Sequence, residues 1–321
     1  YVDLSLGVGQ TAQAPCSAGT YNPNTGSTSS SDCITASIGH YVDLSSGNGQ
    51  STQTPCSTGT FQAATGQNSC DDAYAGYYVD LIGQSSQTPC PAGTYNPNTG
   101  STSSSACVDA DAGHYVDDSL GTGQANQSPC PSGAFNPTPG STSSTSCVDA
   151  DAGYYVPTNG QSTQTPCPTG TFQTATGQAS CNDADAGNYV DLSFGTGQTS
   201  QTPCSAGTFN PNNGSTDISA CLSADSGHYI DTTLGSGQSN QTPCSTGLYN
   251  PNIGSTSPSD CIPAEIGNYV ASTGQASQIP CEAGTYQAII GQESCDVSDP
   301  GFYVNSSLGT GQTSQIPCPT A

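Results

Sequence analysis

The stretch "CPAGTYNPNTGSTSSSAC", from Cys90 to Cys107, sets the pattern of the whole chain. Two cysteines enclose a loop made almost entirely of Gly, Pro, Asn, Ser and Thr, with one tyrosine near its start. Loops of this kind recur along all 321 residues, each preceded by Tyr-Val or Tyr-Ile, a variable linker and the pattern G-Q-x-x-Q-x-P-C. The sequence therefore predicts eight tandem repeats and part of a ninth, over 1–40, 41–77, 78–114, 115–154, 155–188, 189–228, 229–268, 269–302 and 303–321.

The composition leaves little material for a hydrophobic core. Hydrophobic residues make up 32% of the chain, against about 45–50% in ordinary globular proteins. Such a chain is normally disordered, because it cannot bury enough apolar surface to offset the entropy of ordering. The 17 regularly spaced cysteines indicate cross-links instead, and persistent cross-links are typical of an oxidising, extracellular compartment.

The charge excludes several classes of partner. The chain carries 24 acidic residues and no Lys or Arg, so it has nothing with which to bind nucleic-acid phosphates or a basic patch for anionic lipid. No apolar run approaches the roughly 18 residues of a membrane span, and we expect no direct membrane insertion of this segment. The chain begins and ends in mid-pattern, so we expect a part of a longer secreted chain.

The repeats differ in length at two places only. The separation from the Tyr of Tyr-Val to the first Cys is 15 or 12 residues, and the separation from the first Cys to the second is 17 or 14. Because surface loop tips tolerate insertions, we expect these three-residue differences to lie there. The shorter Cys loops fall in every third repeat, and Tyr41, Tyr155 and Tyr269 are each 114 residues apart. This longer period favours lateral or helical packing of copies of the chain.

Several positions recur without change, and they predict the fold. Gly93 and Gly100 have an equivalent in every complete Cys loop, which is typical of turns with positive φ or of close backbone approach. No segment has the 3.6-residue period of a helix, and short strands such as "HYVD" and "GTYN" are expected. We predict small disulfide-rich β or irregular modules in tandem, forming an extended rod-like array without a large core or significant helix.

The few large side chains and the repeated glutamines are assigned structural roles. We expect Tyr95 and its counterparts to pack on the disulfide and the adjoining repeat, with carbohydrate stacking as the alternative. Gln84 and Gln87, which recur in every repeat, are expected to bond backbone groups across the junction between repeats, with ligand contact as the alternative.

Two disulfide schemes are open from the residues alone: Cys90 with Cys107, or Cys107 with Cys130. Loop closure contributes on the order of 3 kcal/mol in either scheme and differs by a few tenths. Either scheme leaves one cysteine over.

The Cys90–Cys107 stretch resembles the cysteine-rich repeats of ephrin-receptor-like type, which are related to tumour-necrosis-factor-receptor and EGF-like modules. The resemblance covers the C-P-x-G-T-Y…G…C part of each repeat, whereas a "DADAGHYVD" linker stands where the family usually has further cysteines. It implies that the two cysteines flanking each loop pair, and that Cys318 pairs with a cysteine beyond this segment. The implied pairs are Cys16–Cys33, Cys56–Cys70, Cys90–Cys107, Cys130–Cys147, Cys167–Cys181, Cys204–Cys221, Cys244–Cys261 and Cys281–Cys295.

Calcium is the candidate cofactor. Carboxylate oxygens are the ligands that Ca²⁺ takes, and two junctions bring three aspartates close together in the sequence around a Gly turn. Other junctions have lost these acids, for example "ITAS" before Tyr41, and a solvated acidic surface is the alternative. The predicted sets are Asp109, Asp111 and Asp117, and Asp183, Asp185 and Asp191.

Covalently attached glycans are expected, while catalysis is not. Four sequons are present, at Asn126, Asn213, Asn240 and Asn305. The three histidines, His40, His114 and His228, occupy a variable position before Tyr-Val, and no serine or threonine has a recurring base beside it. We therefore expect a protein that is not an enzyme.

Two functions follow from these observations. The first is a structural extracellular filament or cell-surface stalk whose partners are copies of itself. The second is a calcium-ordered adhesin or receptor ectodomain whose repeats serve as a spacer for ligand binding.

Overall fold

Repeats two to eight each form two short antiparallel hairpins, in a computed structural model that describes residues 1–319. Among these residues, the first repeat has only the first kind of hairpin described below, and the partial ninth repeat has only the second kind. One hairpin, the loop hairpin, joins the residues just after the first Cys to those just after the second Cys. The loop hairpins are Thr20–Tyr21 with Ile34–Thr35, Thr60–Phe61 with Asp71–Asp72, Thr94–Tyr95 with Val108–Asp109, Ala134–Phe135 with Val148–Asp149, Thr171–Phe172 with Asn182–Asp183, Thr208–Phe209 with Leu222–Ser223, Leu248–Tyr249 with Ile262–Pro263, and Thr285–Tyr286 with Asp296–Val297.

The other hairpin, the linker hairpin, joins the strand that ends at the repeat's first Tyr to the Thr-Pro-type strand before the first Cys. Proline is tolerated there because a two-stranded sheet has only edge strands. The linker hairpins are His40–Tyr41 with Thr54–Pro55, Tyr77–Tyr78 with Thr88–Pro89, His114–Tyr115 with Ser128–Pro129, Tyr154–Tyr155 with Thr165–Pro166, Asn188–Tyr189 with Thr202–Pro203, His228–Tyr229 with Thr242–Pro243, Asn268–Tyr269 with Ile279–Pro280, and Phe302–Tyr303 with Ile316–Pro317.

Helix is limited to three-residue 3₁₀ turns in the described part of the chain, each capped at its start by a Ser, Asp or Asn side chain that accepts a backbone hydrogen bond. Five follow the Tyr-Val or Tyr-Ile strand: Leu4–Leu6, Asp118–Leu120, Leu192–Phe194, Thr232–Leu234 and Ser306–Leu308. Five precede a second Cys: Ser30–Asp32, Ser104–Ala106, Ser144–Ser146, Ile218–Ala220 and Pro258–Asp260. The predicted fold class of small disulfide-rich modules in tandem without significant helix is confirmed.

The structure repeats at half the interval of the sequence repeat. The first Cys of each loop is buried, and an alanine three residues after each of the first seven second Cys residues is equally buried. Cys56 and Ala73 each begin the same sequence pattern. A glycine follows three residues later and an aromatic residue five residues later. These half-repeats are 17 or 20 residues long and begin at Cys16, Ala36, Cys56, Ala73, Cys90, Ala110, Cys130, Ala150, Cys167, Ala184, Cys204, Ala224, Cys244, Ala264 and Cys281.

Consecutive half-repeats are joined by the same backbone hydrogen bonds. The N–H of Cys56 donates to the carbonyl of Gly39 at 2.8 Å, and the N–H of Ala73 donates to Gly59 at 2.8 Å. The N–H of Gly66 donates back to the carbonyl of Ala36, also at 2.8 Å. Because the donors and acceptors are backbone groups at fixed positions, one half-repeat fits the next whether its first residue is Cys or Ala.

Two compact units contain these contacts, Tyr1–Ala150 with Val156–Gln164, and Asp151–Tyr155 with the chain from Thr165 onward. In the second unit, the N–H of Ala184 donates to Gly170 at 3.0 Å and the N–H of Gly214 donates to Ala184 at 2.7 Å. The same bonding scheme therefore builds both units.

Small apolar clusters replace a single core. Phe61 packs with Ala73 and Val79, and the equivalent sets are Phe172, Ala184 and Val190, and Phe209, Ala224 and Ile230. Each cluster joins the loop aromatic to the alanine and the Tyr-Val or Tyr-Ile strand that follow it. For Phe61, Phe172 and Phe209 the expected packing against the adjoining repeat is found, while the expected packing on the disulfide stays a prediction.

A buried amide side chain lies in the interior of seven of the eight Cys loops, and Asn22 in the first loop is half-buried. Asn96 donates from Nδ2 to the carbonyl of Tyr77 at 3.0 Å and to Ser101 Oγ at 2.8 Å, and its Oδ1 accepts from the N–H of Asn98. In the shorter loop of 56–70, Gln62 takes this position and donates to the carbonyl of Ser69 at 3.0 Å. The longer amide side chain spans the gap that the three missing loop residues leave.

Candidate functional site

The disulfides close every second half-repeat. Cys90 and Cys107 lie with their Cα atoms 5.5 Å apart, and eight such bonds are present, with separations of 17 or 14 residues. They are the eight pairs implied by the ephrin-receptor-like resemblance. Cys318 is exposed and has no disulfide partner among the described residues.

A glutamine closes the half-repeats that begin with alanine. Gln127 lies three residues before Cys130, as Cys107 lies three residues before Ala110. Its Oε1 accepts from the N–H of Asp111 at 2.7 Å, and its Nε2 donates to Asp111 Oδ2 at 2.6 Å. We call this two-bond contact the glutamine clasp, and it is the non-covalent counterpart of the disulfide.

The glutamine clasp recurs with small variations. The same two bonds join five more pairs: Ser37 with Gln53, Asp185 with Gln201, Asp225 with Gln241, Glu265 with Gln278, and Asp299 with Gln315. In the third repeat, Gln87 accepts from the N–H of Tyr74 at 2.7 Å, while the backbone carbonyl of Gln84 accepts from the N–H of Gln62 at 3.1 Å. The side chain of Gln87 thus bonds a backbone group, as expected for a structural role. Gln84 takes part through its backbone carbonyl, so the role expected of its side chain stays a prediction.

The aspartates of the first predicted calcium set are used separately. Asp109 is exposed in a loop hairpin, Asp111 belongs to a glutamine clasp, and Asp117 caps the turn Asp118–Leu120 by accepting from the N–H of Ser119 at 2.9 Å. The second set, Asp183, Asp185 and Asp191, is divided in the same way. Within residues 1–319, no three His, Cys, Asp or Glu side chains form a group suited to hold a metal ion.

The capping aspartates have distinctive protonation behaviour. Asp231 Oδ1 accepts from Thr233 Oγ1 at 2.6 Å and from the N–H of Thr233 at 2.9 Å. These hydrogen bonds stabilise the charged carboxylate and lower the pKa of Asp231 below its ordinary 3.8, with the hydroxyl making the larger contribution. The pKa values of four more aspartates are lowered by the same kind of contact: Asp3, Asp43, Asp117 and Asp217.

The predicted glycosylation sites lie in different settings. Asn126 and Asn240 are exposed at equivalent linker positions, and Asn213 is exposed in a Cys loop. Asn213 Oδ1 accepts from the N–H of Ala186 at 2.8 Å. Asn305 is half-buried and caps the turn Ser306–Leu308 through its Oδ1.

The histidines pack on glycine turns of a later half-repeat. A Cβ atom added to Gly160 would lie 3.0 Å from His114 Cε1, and one added to Gly274 would lie 3.1 Å from His228 Cε1. His114 Nδ1 is buried without a hydrogen-bond partner among the described residues, whereas His228 Nδ1 lies 3.2 Å from the carbonyl of Ser226. Their common feature is a packing position in the linker hairpin.

Comparison with known proteins identifies no family: no family model and no curated protein matches this chain. Within residues 1–319, none of the helices has the length and apolar character needed to cross a membrane. The chain consists of tandem disulfide-bonded hairpin modules. These modules are compatible with an extracellular structural or spacer role.

Proposed function

We propose that the chain is a structural extracellular protein, a filament or cell-surface stalk built from disulfide-linked tandem repeats. The observation that carries this proposal is the recurring set of backbone hydrogen bonds within each compact unit, as between Cys56 and Gly39 or Ala184 and Gly170. Such a unit is stabilised by nearest-neighbour contacts and lengthens by adding repeats. A covalent bond in every second half-repeat limits local opening.

The composition supports secretion and exposure at a cell surface. Disulfides persist in oxidising compartments, and a chain without Lys or Arg offers no cleavage site to trypsin-like proteases. Its high net charge opposes uncontrolled aggregation, while the 114-residue period of the short loops supports ordered contact between copies. We propose no catalytic activity, because the recurring polar side chains hold backbone groups in place.

We also propose that the loops belong with ephrin-receptor-like, EGF-related repeats. The C-P-x-G-T-Y core around Cys90 and the pairing of the two flanking cysteines support this assignment. The alanine half-repeats, closed by glutamine instead of a disulfide, are where the chain departs from that pattern.

The calcium-ordered adhesin is the competing function. It is disfavoured by the separate positions of the three aspartates: Asp109 is exposed in a loop hairpin, Asp111 belongs to a glutamine clasp, and Asp117 caps a turn. Titration calorimetry of the whole chain with calcium chloride tests it: we expect no site tighter than about 1 mM, the weak end of extracellular calcium sites. A tighter site would favour the adhesin.

Electron microscopy of the native material tests the leading proposal. We expect long filaments or surface projections of uniform width, and isolated short particles would contradict them. Intact mass of the native chain, compared with the 32.1 kDa sequence mass, tests for the attached glycans.

A further inference from the structure

The three short Cys loops differ from the other five in one structural feature. In the five longer loops a 3₁₀ turn, such as Ser104–Ala106, lies directly before the second cysteine. The short loops, 56–70, 167–181 and 281–295, have no such turn, because the three missing residues are removed from this part of the loop.

A groove occupies this position in two of the short-loop repeats. Beside Cys56–Cys70 it has a volume of about 390 Å³ and is lined by Tyr41, Thr60, Asn68 and Ser69, among others. The equivalent groove beside Cys281–Cys295 has a volume of about 320 Å³ and is lined by Tyr269, Glu282, Thr285 and Ser294. The two grooves lie at equivalent positions of two short-loop repeats.

The third short loop carries the same residues at the same positions. Tyr155, Thr171 and Ser180 correspond to Tyr41, Thr60 and Ser69. The three tyrosines are spaced by 114 residues, so the long period of the sequence is also the period of these positions.

The common lining is aromatic and hydroxyl-rich and carries no charge. Tyr41 is half-buried, while Asn68 and Ser69 are exposed. The side chains of these three residues make no hydrogen bond to other described residues, and so they are free to bond a ligand. The position of Ser57 in the first groove is taken by Pro168 in the second short loop and by Glu282 in the third. Charge is thus not a shared property of the set.

We propose that each short loop forms a binding groove for one neutral hexopyranose unit. The C–H face of a pyranose ring packs against the electron-rich face of an aromatic ring, and its hydroxyls pair with the serine and threonine side chains that the three short loops share. Asn68 adds an amide in the first groove only, since Ala179 and Glu293 take its position in the other two loops. Volumes of 320 and 390 Å³ lie at the small end of the roughly 300–1,000 Å³ range of ligand sites. They suit a single sugar ring better than a peptide segment with several anchoring side chains.

The source of the sugar is either a glycan on another copy of the chain or an external polysaccharide. Both present the same chemistry to the groove. Sugar binding does not depend on the filament proposal. Electron microscopy tests whether the chain forms filaments, and the binding measurement below tests the grooves, so either proposal can fail without the other.

A loop exchange provides the test. Residues 62–69 are replaced by the residues of 96–106, "NPNTGSTSSSA", which restores the three missing positions and the 3₁₀ turn. Corresponding exchanges are made at 173–180 and 287–294. The matched control places the same insert at 136–146 in the Cys130–Cys147 loop, which is already long. Because the insert comes from a natural repeat of this chain, the variants are expected to fold.

Binding is measured by saturation-transfer NMR on the whole unglycosylated chain. The probes are the methyl glycosides of glucose, galactose, mannose and N-acetylglucosamine, with a proline-rich peptide of similar mass for comparison. We expect saturable transfer from at least one glycoside, a loss of about one third of the signal for a single exchange, since distant sites act independently, and complete loss for the triple exchange. The control variant keeps the full signal.

Three results would overturn the proposal. They are no saturable transfer from any glycoside, transfer that the triple exchange leaves unchanged, and transfer from the peptide alone. If a glycoside binds, native glycosylated chain is compared with the unglycosylated chain. Weaker binding of added sugar by the glycosylated chain assigns the natural ligand to a glycan on a neighbouring copy, and equal binding assigns it to an external polysaccharide.

Discussion

At the scale of single residues, the strictest requirement of the fold is for glycine where the backbones of two half-repeats come into close contact. Gly76 has φ +89°, and a Cβ atom at this position would lie 1.9 Å from the carbonyl oxygen of Gly123. Nearly every glycine three residues after a half-repeat start is placed in this way, for example Gly113 against Gly160 at 2.1 Å. These glycines therefore allow both the turn and the stacking of half-repeats.

Two alanine substitutions separate the contribution of the close backbone contact to stability from that of the positive φ angle. Gly76→Ala is expected to destabilise its surroundings by the roughly 1–2 kcal/mol of a left-handed residue plus about 1–3 kcal/mol for the overlap with Gly123. Gly121→Ala is the matched control, because Gly121 has φ +86° but nothing within 4 Å of the added Cβ. Denaturant unfolding of both variants under oxidising conditions measures the difference, and equal losses would show that the stacking tolerates a side chain.

The Asp231 cap gives a pH prediction at the same scale. Its pKa is lowered, so its carboxylate stabilises the local turn above the unfolded pKa, and this contribution disappears as the pH falls through the folded pKa. Thr233→Val removes the hydroxyl donor and keeps the backbone bond, so the pKa of Asp231 should rise toward 3.8. NMR titration of the carboxyl carbon measures it.

The uncharged cap Asn305 is the internal control for this titration. It accepts from the N–H of Ser307 at 3.1 Å, as Asp231 accepts from Thr233. The amide signal of Thr233 should follow the titration while that of Ser307 stays constant, and parallel shifts at both would contradict the cap assignment.

At the scale of elements, disulfides and glutamine clasps alternate as closures of similar loops. Cys90 and Cys107 are 17 residues apart, while Asp111 and Gln127 are 16 apart. The half-repeats differ in how they are closed but share their turns and backbone bonds. An alanine half-repeat should therefore accept a disulfide.

The double variant Ala110→Cys/Gln127→Cys tests this equivalence. The new cysteines take the positions that Cys90 and Cys107 hold in the preceding half-repeat, and a closed loop of this size stabilises by about 3 kcal/mol. We expect a bond detectable by intact mass after thiol alkylation, and a rise in the denaturant midpoint that reduction removes. Each single variant serves as a control, and two free thiols in the double variant would contradict the equivalence.

At the scale of the whole molecule, stability comes from contacts between neighbours in sequence. The bonds from Cys56 to Gly39 and from Gly66 to Ala36 join adjacent half-repeats. Few large side chains are fully buried, with Ile230 and valines such as Val42 the largest apolar ones. Each added repeat therefore supplies one further set of interfaces.

Fragments of increasing length test this additivity. The fragment 1–114, with three repeats, should unfold at a higher denaturant concentration than the fragment 1–77, with two, because it has more interfaces per repeat. Both lie inside the first compact unit. Circular dichroism measures the midpoints, and equal midpoints would show that each repeat folds alone.

Sequence reasoning reached the modules but not their internal symmetry. The presence of cross-links and the glycine turns could be predicted from the Cys90–Cys107 stretch, because covalent closure and positive φ leave fixed residue types. The pairing of Cys90 with Cys107 was implied only by the ephrin-receptor-like resemblance, since the residues alone left a second scheme open. The shared pattern of Cys56 and Ala73 is also present in the sequence, as C-x-x-G-x-aromatic and A-x-x-G-x-aromatic. The alanines do not stand out in a chain rich in small residues, so the spacing of the cysteines alone does not reveal the half-repeat.

The partners of the polar side chains were decided by the tertiary structure alone. The sequence by itself determined the tandem array, its cross-linked loops and its lack of a large core, since these follow from composition and spacing. It did not determine that Asp111 meets Gln127 while Asp117 caps a turn, because a carboxylate accepts hydrogen bonds from any donor that the fold brings near. The grooves at Tyr41 and Tyr269 are likewise known only from the fold, because their lining residues come from separate segments of the chain.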